Sequence, residues 1–525
     1  MTNSIGEIQH ADAIFAIGTN TTESHPIIGQ QVVKAKNKGA KVVVADPRKT
    51  PIAEMADIWL NPLPGTNVAL LNGMMNVILE EGLQDDEYIE KNTENFEEVK
   101  KAVKEYTPEK VEEITKVPAE KIREAARIYG EAGKAPVLYT MGITQFTTGT
   151  DGVFSVANLA LMTGNVGIES AGVNPLRGQN NVQGACDMGG LPNVFTAYQK
   201  VDNPEAVNKF SEFWGASLNE KPGKAVTEMM ALAGDEIKAM YIMGENPMLT
   251  DPNLGHVEES IDSLDFLVVQ DIFMTETAEK ADVVLPAASF AEKDGTFTNT
   301  ERRVQRARKA ISEQADSKAD WKIISELAQE MGMSSMNYEN PKEIMDELIE
   351  VTPSYAGITY ERLESGGLQW PCPSTDHPGT KYLHKDGNFP IGKGKFTPVE
   401  YKPSAESVDE EYPFILTTGR ILYHYHSVMT RRAKDLDGEA PKGYMEMNPE
   451  DASALGIEAE EIVKVSSRRG ELKAPVQITD KISKGVVYMS FHYKEMAANK
   501  LTNELYDPKS KTPELKVSAV KIEKI

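Results

Sequence analysis

Residues 13–46 read AIFAIGTNTTESHPIIGQQVVKAKNKGAKVVVAD, and this stretch decides the fold. The opening run AIFAI has the Ile and Phe content of a buried strand, and it ends at Gly18-Thr19-Asn20. Helical spacing over residues 27–38 follows and stops at Gly39, the position where glycine closes a helix. KVVVA at 41–45 is a β-branched second strand, closed by Asp46. Strand, glycine turn, helix, strand and acid together make a βαβ unit. Upstream, Ser4 and Glu7 have the spacing of a capping box and predict a short first helix.

The same grammar returns at residues 239–271. AMYIM at 239–243 ends at Gly244-Glu245-Asn246, a helical segment comes next, and FLVVQ at 266–270 is closed by Asp271. Gly18 precedes Asp46 by 28 positions, and Gly244 precedes Asp271 by 27. Eleven positions beyond each acid stands another, Asp57 in ADIWL and Asp282 in ADVVL, with a proline close behind each. A whole set of matches at constant offset points to duplication, hence two related α/β domains.

Further along, residues 117–129 have helical spacing and 136–140 read as a strand ending at Met141-Gly142. Beyond about residue 412 the pattern changes to short strands, at 414–418, 462–466, 471–478 and 486–490, with a hairpin turn at Arg469-Gly470. This predicts a small β-barrel. The stretch before it is rich in Gly, Pro and Lys and reads as a linker. The expected fold is therefore α/β, with two Rossmann-like parallel-sheet domains and a C-terminal barrel. The boundaries read as 1–180, 181–385, a linker at 386–410, and 411–525.

A length of 525 residues agrees with about three to four domains. Hydrophobic content of 40% and charged content of 26% are those of a soluble globular protein, and no apolar run is long enough to span a bilayer. The net charge of −24 argues against a nucleic-acid surface, which needs clustered Lys and Arg. Cys186 and Cys372 belong to no CxxC pair, which excludes a four-cysteine cluster within this sequence and suggests a reducing, cytoplasmic setting. Each cysteine reads as a small buried apolar residue.

In an open parallel sheet, ligands bind beyond the carboxyl ends of the strands. A glycine there admits a diphosphate, the following helix turns its free N–H groups toward it, and an acid closing the next strand accepts from ribose or a guanine edge. Gly18 with Asp46, and Gly244 with Asp271, thus predict two nucleotide half-sites facing one another. Neither carries GxGxxG, so nicotinamide and flavin dinucleotides are disfavoured. Gly65-Thr66-Asn67 and Gly164-Asn165 are weaker loop signals of the same kind. His424 and His426 sit two apart without a third ligand nearby, so satisfied polar histidines or phosphate contacts fit better than a metal pair.

Residues 174–189, NPLRGQNNVQGACDMG, show neither helical nor strand period. A glycine-rich loop so dense in amides needs partners if it is buried, which is costly to arrange without a ligand. Arg177 is its only charge before Asp187, and a guanidinium holds a small carboxylate by two parallel bonds.

RGQNNVQGACDMG at 177–189 resembles the signature loop of formate dehydrogenases in the molybdopterin oxidoreductase superfamily. Similar in kind are GTN at 18–20, SHPI at 24–27, DPRKT at 46–50, PGTN at 64–67, MGITQF at 141–146 and TGNVG at 163–167. So are IMGENP at 242–247, VVQDIFMTETA at 268–278, ADVVLP at 281–286 and GTFTNTERR at 295–303. TTGR at 417–420 followed by His424 and His426, LTN at 501–503, and the Lys516-x-x-Ala519-Val520 pattern extend the likeness over essentially the whole chain.

The resemblance implies a bis(molybdopterin guanine dinucleotide) carrying Mo or W, gripped by the two repeated domains and closed by a double-psi barrel. Arg177 takes the place of the family's formate-binding arginine. Gly18, Asn20, Asp46, Arg48, Gly65, Asn67, Met141, Gly142 and Gln145 match cofactor-contacting positions of the first domain. Gly244, Glu245, Asn246, Gln270, Asp271 and Thr275 match those of the second, and Gly419, Arg420, His424, Asn503 and Lys516 those of the barrel. The implied reaction is reversible oxidation of formate to CO2. Electrons would pass to an iron–sulfur or a diaphorase- or hydrogenase-type subunit.

The sequence departs from the family in one respect. Family members place a [4Fe–4S] segment, and then a metal-ligating Cys or selenocysteine followed by His, ahead of the position matching Met1. None of these is present here, and the expectation is a reading frame started downstream of an in-frame UGA codon for selenocysteine. A split subunit and a cloned fragment are the alternatives. The functional alternatives are an oxo-transferring relative such as a nitrate reductase, and a metal-free structural subunit of a respiratory complex.

Overall fold

Five short parallel strands form the first sheet, in the order Ile58–Leu60, Lys41–Ala45, Ala13–Ile17, Val137–Tyr139, Val173–Pro175. Every residue of Ala13–Ile17 is buried, because helices cover both faces of the sheet. Phe15 and Ile17 pack with Leu70, Met74 and Tyr129 on one side, while Ile14 and Ala16 pack with Ile28, Val32 and Val42 on the other. Period-two alternation thus feeds two cores from one apolar run, and each large side chain contributes about 1.5–3 kcal/mol. The helix Pro26–Asn37 ends at Gly39, whose φ of 104° turns the chain into the next strand.

These observations come from a computed structural model that describes residues 1–425 and 430–525. His426 lies outside the described residues. The chain divides into two compact units, Met1–Leu176 with Met248–Val257 and Tyr382–Ile525, and Arg177–Pro247 with Glu258–Lys381. No helix of the described residues is long and apolar enough to cross a membrane.

The second unit contains a three-stranded parallel sheet, Ala239–Met243, Phe266–Asp271 and Val283–Pro286 in that order. It repeats several bonds of the first sheet. Gly18 N–H donates to Ala45 O at 2.9 Å, and Gly244 N–H donates to Gln270 O at 2.8 Å. The acids at the constant offset have one structural job in both copies. Asp57 Oδ2 accepts from Val42 N at 2.8 Å, and Asp282 Oδ2 accepts from Leu267 N at 2.7 Å. Each acid thereby tethers the start of one strand to the start of the next.

The first unit also carries a closed barrel of six strands, Phe414–Gly419, Val486–Ser490, Met445–Met447, Glu471–Ile478, Ile462–Ser466 and Ser518–Lys524 in order of pairing. Arg469-Gly470 forms the expected hairpin turn, closed by Ser467 N–H to Gly470 O at 2.9 Å. The 386–410 stretch, linker-like in composition, is docked on the first sheet's helices. Phe396 is fully buried against Phe96, and Gly394–Lys395 pairs with Thr93–Glu94.

Three local expectations need correction. Ile5–His10 is a 3₁₀ turn without a side-chain cap, since Glu7 instead accepts from Asn3 Nδ2 and Ser170 N. Residues 174–189 contain a strand, Val173–Pro175, and a helix, Val182–Asp187, where the sequence showed no period. Cys186 is half-exposed, while Cys372 is buried as expected.

Arg48 locks the sheet to the barrel. Its Nε and Nη2 both donate to the Glu446 carboxylate at 2.6 Å, and its guanidinium lies 4.2 Å from the Tyr488 ring centroid. The side chains are 13% and 3% exposed, so removing one partner strands a buried charge. Glu446→Gln is expected to destabilise the protein by about 3–5 kcal/mol, and the double change Arg48→Met/Glu446→Leu by clearly less. Urea midpoints check this, and equal losses in the two variants would contradict it.

Candidate functional site

At the carboxyl end of Ala13–Ile17 the chain turns at Gly18. Gly18 has φ of 57°, and a Cβ there would lie 2.5 Å from the Gly142 carbonyl carbon. No side chain fits at either glycine, because their backbones touch. Gly142 N–H donates to Gly18 O at 3.1 Å, Thr140 Oγ1 donates to the same oxygen at 2.7 Å, and Asn67 Nδ2 donates to Gly142 O at 2.9 Å. Gly18, Asn67 and Gly142 are thus gathered on one ledge, with exposed Met141 opening, and half-buried Gln145 capping, the helical turn Met141–Thr144. Asn20 is held locally, donating to Glu23 Oε2 at 2.7 Å. Gly65, with φ of 90°, turns beside Ser404.

The barrel supplies the facing groups. Lys516 Nζ donates to Thr418 O at 2.6 Å, next to Gly419 at the end of its strand. Burial pushes the Lys516 ammonium down to about 8, against the pull of Asp46. Burial likewise pushes the Asp46 carboxyl up to about 6, although Arg48 N–H donates to it and the charges of Arg48 and Lys516 oppose the shift. Arg420 has its guanidinium 5.9 Å from the Tyr425 ring centroid, and its Nε is buried without a hydrogen-bond partner. His424 is fully buried, its Nε2 on Ala440 O at 2.8 Å and its Nδ1 unpartnered. Asn503 is committed to the barrel itself, donating to Val517 O at 2.9 Å. Buried hydroxyls of Thr19, Thr21 and Thr50 also lack partners.

Such orphaned groups are rare in folded chains, and the same unit holds a desolvated carboxylate within the electrostatic reach of Lys516. That donor set suits an anionic, hydrogen-bond-rich ligand such as a nucleotide diphosphate.

The second unit treats the matching residues differently. Gly244 and Glu245 are exposed, and a Cβ at Gly244 would meet nothing within 4 Å. Asn246 Nδ2 donates to Glu276 Oε2 at 2.8 Å, and its Oδ1 accepts from Thr277 Oγ1 at 2.8 Å. Gln270 donates to Asp320 Oδ1 at 2.7 Å, Asp271 Oδ1 accepts from Phe273 N at 3.1 Å, and Thr275 Oγ1 accepts from Ala278 N at 3.2 Å. Asp271 repeats the turn made by Asp46, each carboxylate accepting from the N–H two residues on.

Arg177, half-buried, donates from Nε to Gln183 Oε1 at 3.2 Å, and its own N–H donates to Thr300 Oγ1 at 3.1 Å. Several amides around it already have protein partners. Asn181 Oδ1 accepts from Thr298 N, and Asn174 donates to Ala171 O and Gly172 O. The density of amides is therefore met partly by the fold. Among the described residues no three His, Cys, Asp or Glu groups cluster as metal ligands.

Sequence reading missed Glu446 and Tyr488, which only the fold brings to Arg48. It also missed Gln183 with Asp187, whose i,i+4 spacing was a legible signal.

Comparison with known proteins bears on these features. Residues 1–330 match the model for molybdopterin oxidoreductase, and 414–519 the molybdopterin dinucleotide binding domain. The F420-dependent formate dehydrogenase subunit alpha of Methanocaldococcus jannaschii is 54% identical over all of this chain and 78% of its own length. Formate dehydrogenase H of Escherichia coli is 44% identical over all of this chain and 74% of its own. Acetylene hydratase from Pelobacter acetylenicus shares the fold, with TM-score 0.77 and 21% identity, covering 99% of this chain and 81% of that one. With its duplicated glycine-turn units, closed barrel and family matches over both, the chain belongs to the molybdopterin oxidoreductase family.

Proposed function

We propose that this chain is the catalytic subunit of a formate dehydrogenase, oxidising formate reversibly to carbon dioxide with release of a proton and two electrons. The observation that carries the reading is Arg177, set in RGQNNVQGACDMG and held through its Nε–H by Gln183. Relatives that are 44–54% identical over the whole chain and named formate dehydrogenases support it.

When bound, a bis(molybdopterin guanine dinucleotide) with Mo or W supplies the two-electron acceptor. In the first unit, Asp46 would accept hydrogen bonds from guanine or ribose, and Arg420 and Lys516 would balance diphosphate charge. Gly18 and Gly142 offer a backbone ledge, flanked by Asn20, Gly65, Asn67, Met141 and Gln145. In the second unit, Gly244, Glu245, Asn246, Gln270, Asp271 and Thr275, at the strand ends and the turns after them, would hold the second dinucleotide. Arg177 grips the formate carboxylate through its terminal nitrogens, neutralising it and leaving the C–H bond directed away from the guanidinium. Three relatives are named as alpha subunits of F420-dependent formate dehydrogenases, which supports F420 as an acceptor reached through a further subunit.

Two outcomes check this reading. Arg177→Lys and Arg177→Ala in fully metallated enzyme are each expected to lose at least about tenfold in formate turnover, because a charged hydrogen bond is worth roughly 1.5–3 kcal/mol. Dye-linked assays with formate and with nitrate measure it, and turnover with nitrate instead would favour an oxo-transferring enzyme. The second outcome concerns Asp46. Its raised folded pKa means that stability present below about 4 is lost as pH rises through about 6. In cofactor-free protein the melting-temperature advantage of Asp46→Asn over wild type should therefore widen between these pH values and stay level above them. A pH-independent difference would remove Asp46 as the desolvated acceptor.

A further inference from the structure

The helix Val182–Asp187 ends in a carboxylate that the reaction as described does not use. Asp187 is fully buried and accepts four hydrogen bonds. Gln183 Nε2 at 2.8 Å and Tyr198 OH at 3.0 Å reach Oδ1, while Tyr355 OH at 2.6 Å and Trp370 Nε1 at 2.7 Å reach Oδ2. Gln183 Nε2 also donates to Tyr198 OH at 2.9 Å, and Gln183 Oε1 accepts from Arg177 Nε. The backbone is arranged to complete this cluster, since Ala197 and Tyr198 both adopt positive φ, 50° and 63°.

The polarity of the chain of bonds is forced at both ends. Trp370 Nε1 and the Arg177 guanidinium can only donate. An ionised Asp187 can only accept, so both amide hydrogens of Gln183 turn toward Asp187 and Tyr198, and its oxygen faces Arg177. With the amide reversed, two donors would confront each other at Arg177.

We infer that Asp187 is a positioning residue for substrate binding. Through Gln183 it fixes the orientation of the Arg177 guanidinium, and hence the angle at which the carboxylate of the substrate is held. This rests on the reading of Arg177 as the formate site. It identifies Gln183 and Asp187 as parts of that site's specificity for a small planar carboxylate.

Asp187→Asn isolates the effect, because it preserves shape and changes one acceptor into a donor. Trp370 requires the Asn oxygen to face it, so the Asn amide turns toward Gln183 and inverts that side chain. In the full-length holoenzyme, Asp187→Asn is expected to raise KM for formate about tenfold with a smaller change in kcat. In formate-free protein, phenylglyoxal should modify Arg177 several-fold faster, followed by peptide mass. Gln183→Glu/Asp187→Asn restores an acceptor facing Arg177 and a donor facing Glu, and should return the modification rate toward wild type. Unchanged KM and modification rate in folded Asp187→Asn, or a double variant modified as fast as the single one, would overturn the inference. If Asp187→Asn does not fold, Gln183→Met leaves the Asp187 bonds to both tyrosines and Trp370 intact and is judged by the same two measurements. An unchanged KM in Arg177→Lys would sink the formate reading instead, while the modification rates still report the relay.

Discussion

Backbone contact between Gly18 and Gly142 sets the geometry of the first unit's site. The two glycines end adjacent strands, Ala13–Ile17 and the one just before Met141, and neither leaves room for a Cβ. Because the carbonyl of Gly18 takes two hydrogen bonds, from Gly142 N and Thr140 Oγ1, the two turns behave as one rigid ledge. Asn67, at the start of the helix Asn67–Glu80, adds a third strand-to-helix turn through Gly142 O. A ligand that lies on this ledge meets backbone polar groups at fixed spacing, which side chains on flexible loops do not provide.

What sits opposite the ledge is decided by one ion pair. Arg48 lies two residues past Asp46, and its bidentate bond to Glu446 draws the barrel onto the loop that carries Asp46. Half-buried Lys516 is thereby held close enough for its charge to act on Asp46. Both ionised groups are held at a desolvation cost, and half-buried Arg420 has a buried Nε without a hydrogen-bond partner. A fold keeps such groups when a ligand supplies the missing partners, since burial of unpaired charge otherwise costs several kcal/mol. Arg48 itself binds Glu446 through Nε and Nη2, which joins the sheet to the barrel.

The duplicated βαβ grammar was legible because strand burial and turn chemistry are local. The apolar runs at 13–17, 41–45 and 239–243 became strands with those bounds. The constant-offset acids Asp57 and Asp282 were visible as a pattern, but their tethering of strand starts required coordinates. The barrel's strands were legible for the same local reason, while its closure and its hold on Arg48 depend on residues 398 positions apart. Residues 174–189 misled in the other direction. Glycine and amide content hid a helix whose stability comes from Asp187 bonds to distant Tyr355 and Trp370, a tertiary effect that composition does not register.

The two copies have diverged in how they satisfy their own turns. In both, the Asn two residues past the strand-ending glycine, Asn20 or Asn246, uses its amide within the protein. Around Asn20, however, the hydroxyls of Thr19 and Thr21 are buried and unbonded, whereas Asn246 is closed by Thr277 and Glu276. A turn with orphaned donors gains more from a ligand than one already saturated, because the ligand removes a standing penalty as well as adding contacts. The first copy thus leaves buried hydroxyls unpartnered at its turn, while the second satisfies its Asn246 within the protein. Duplication supplied one scaffold; the polar residues flanking each glycine determine how much of its stability is left for the ligand to provide.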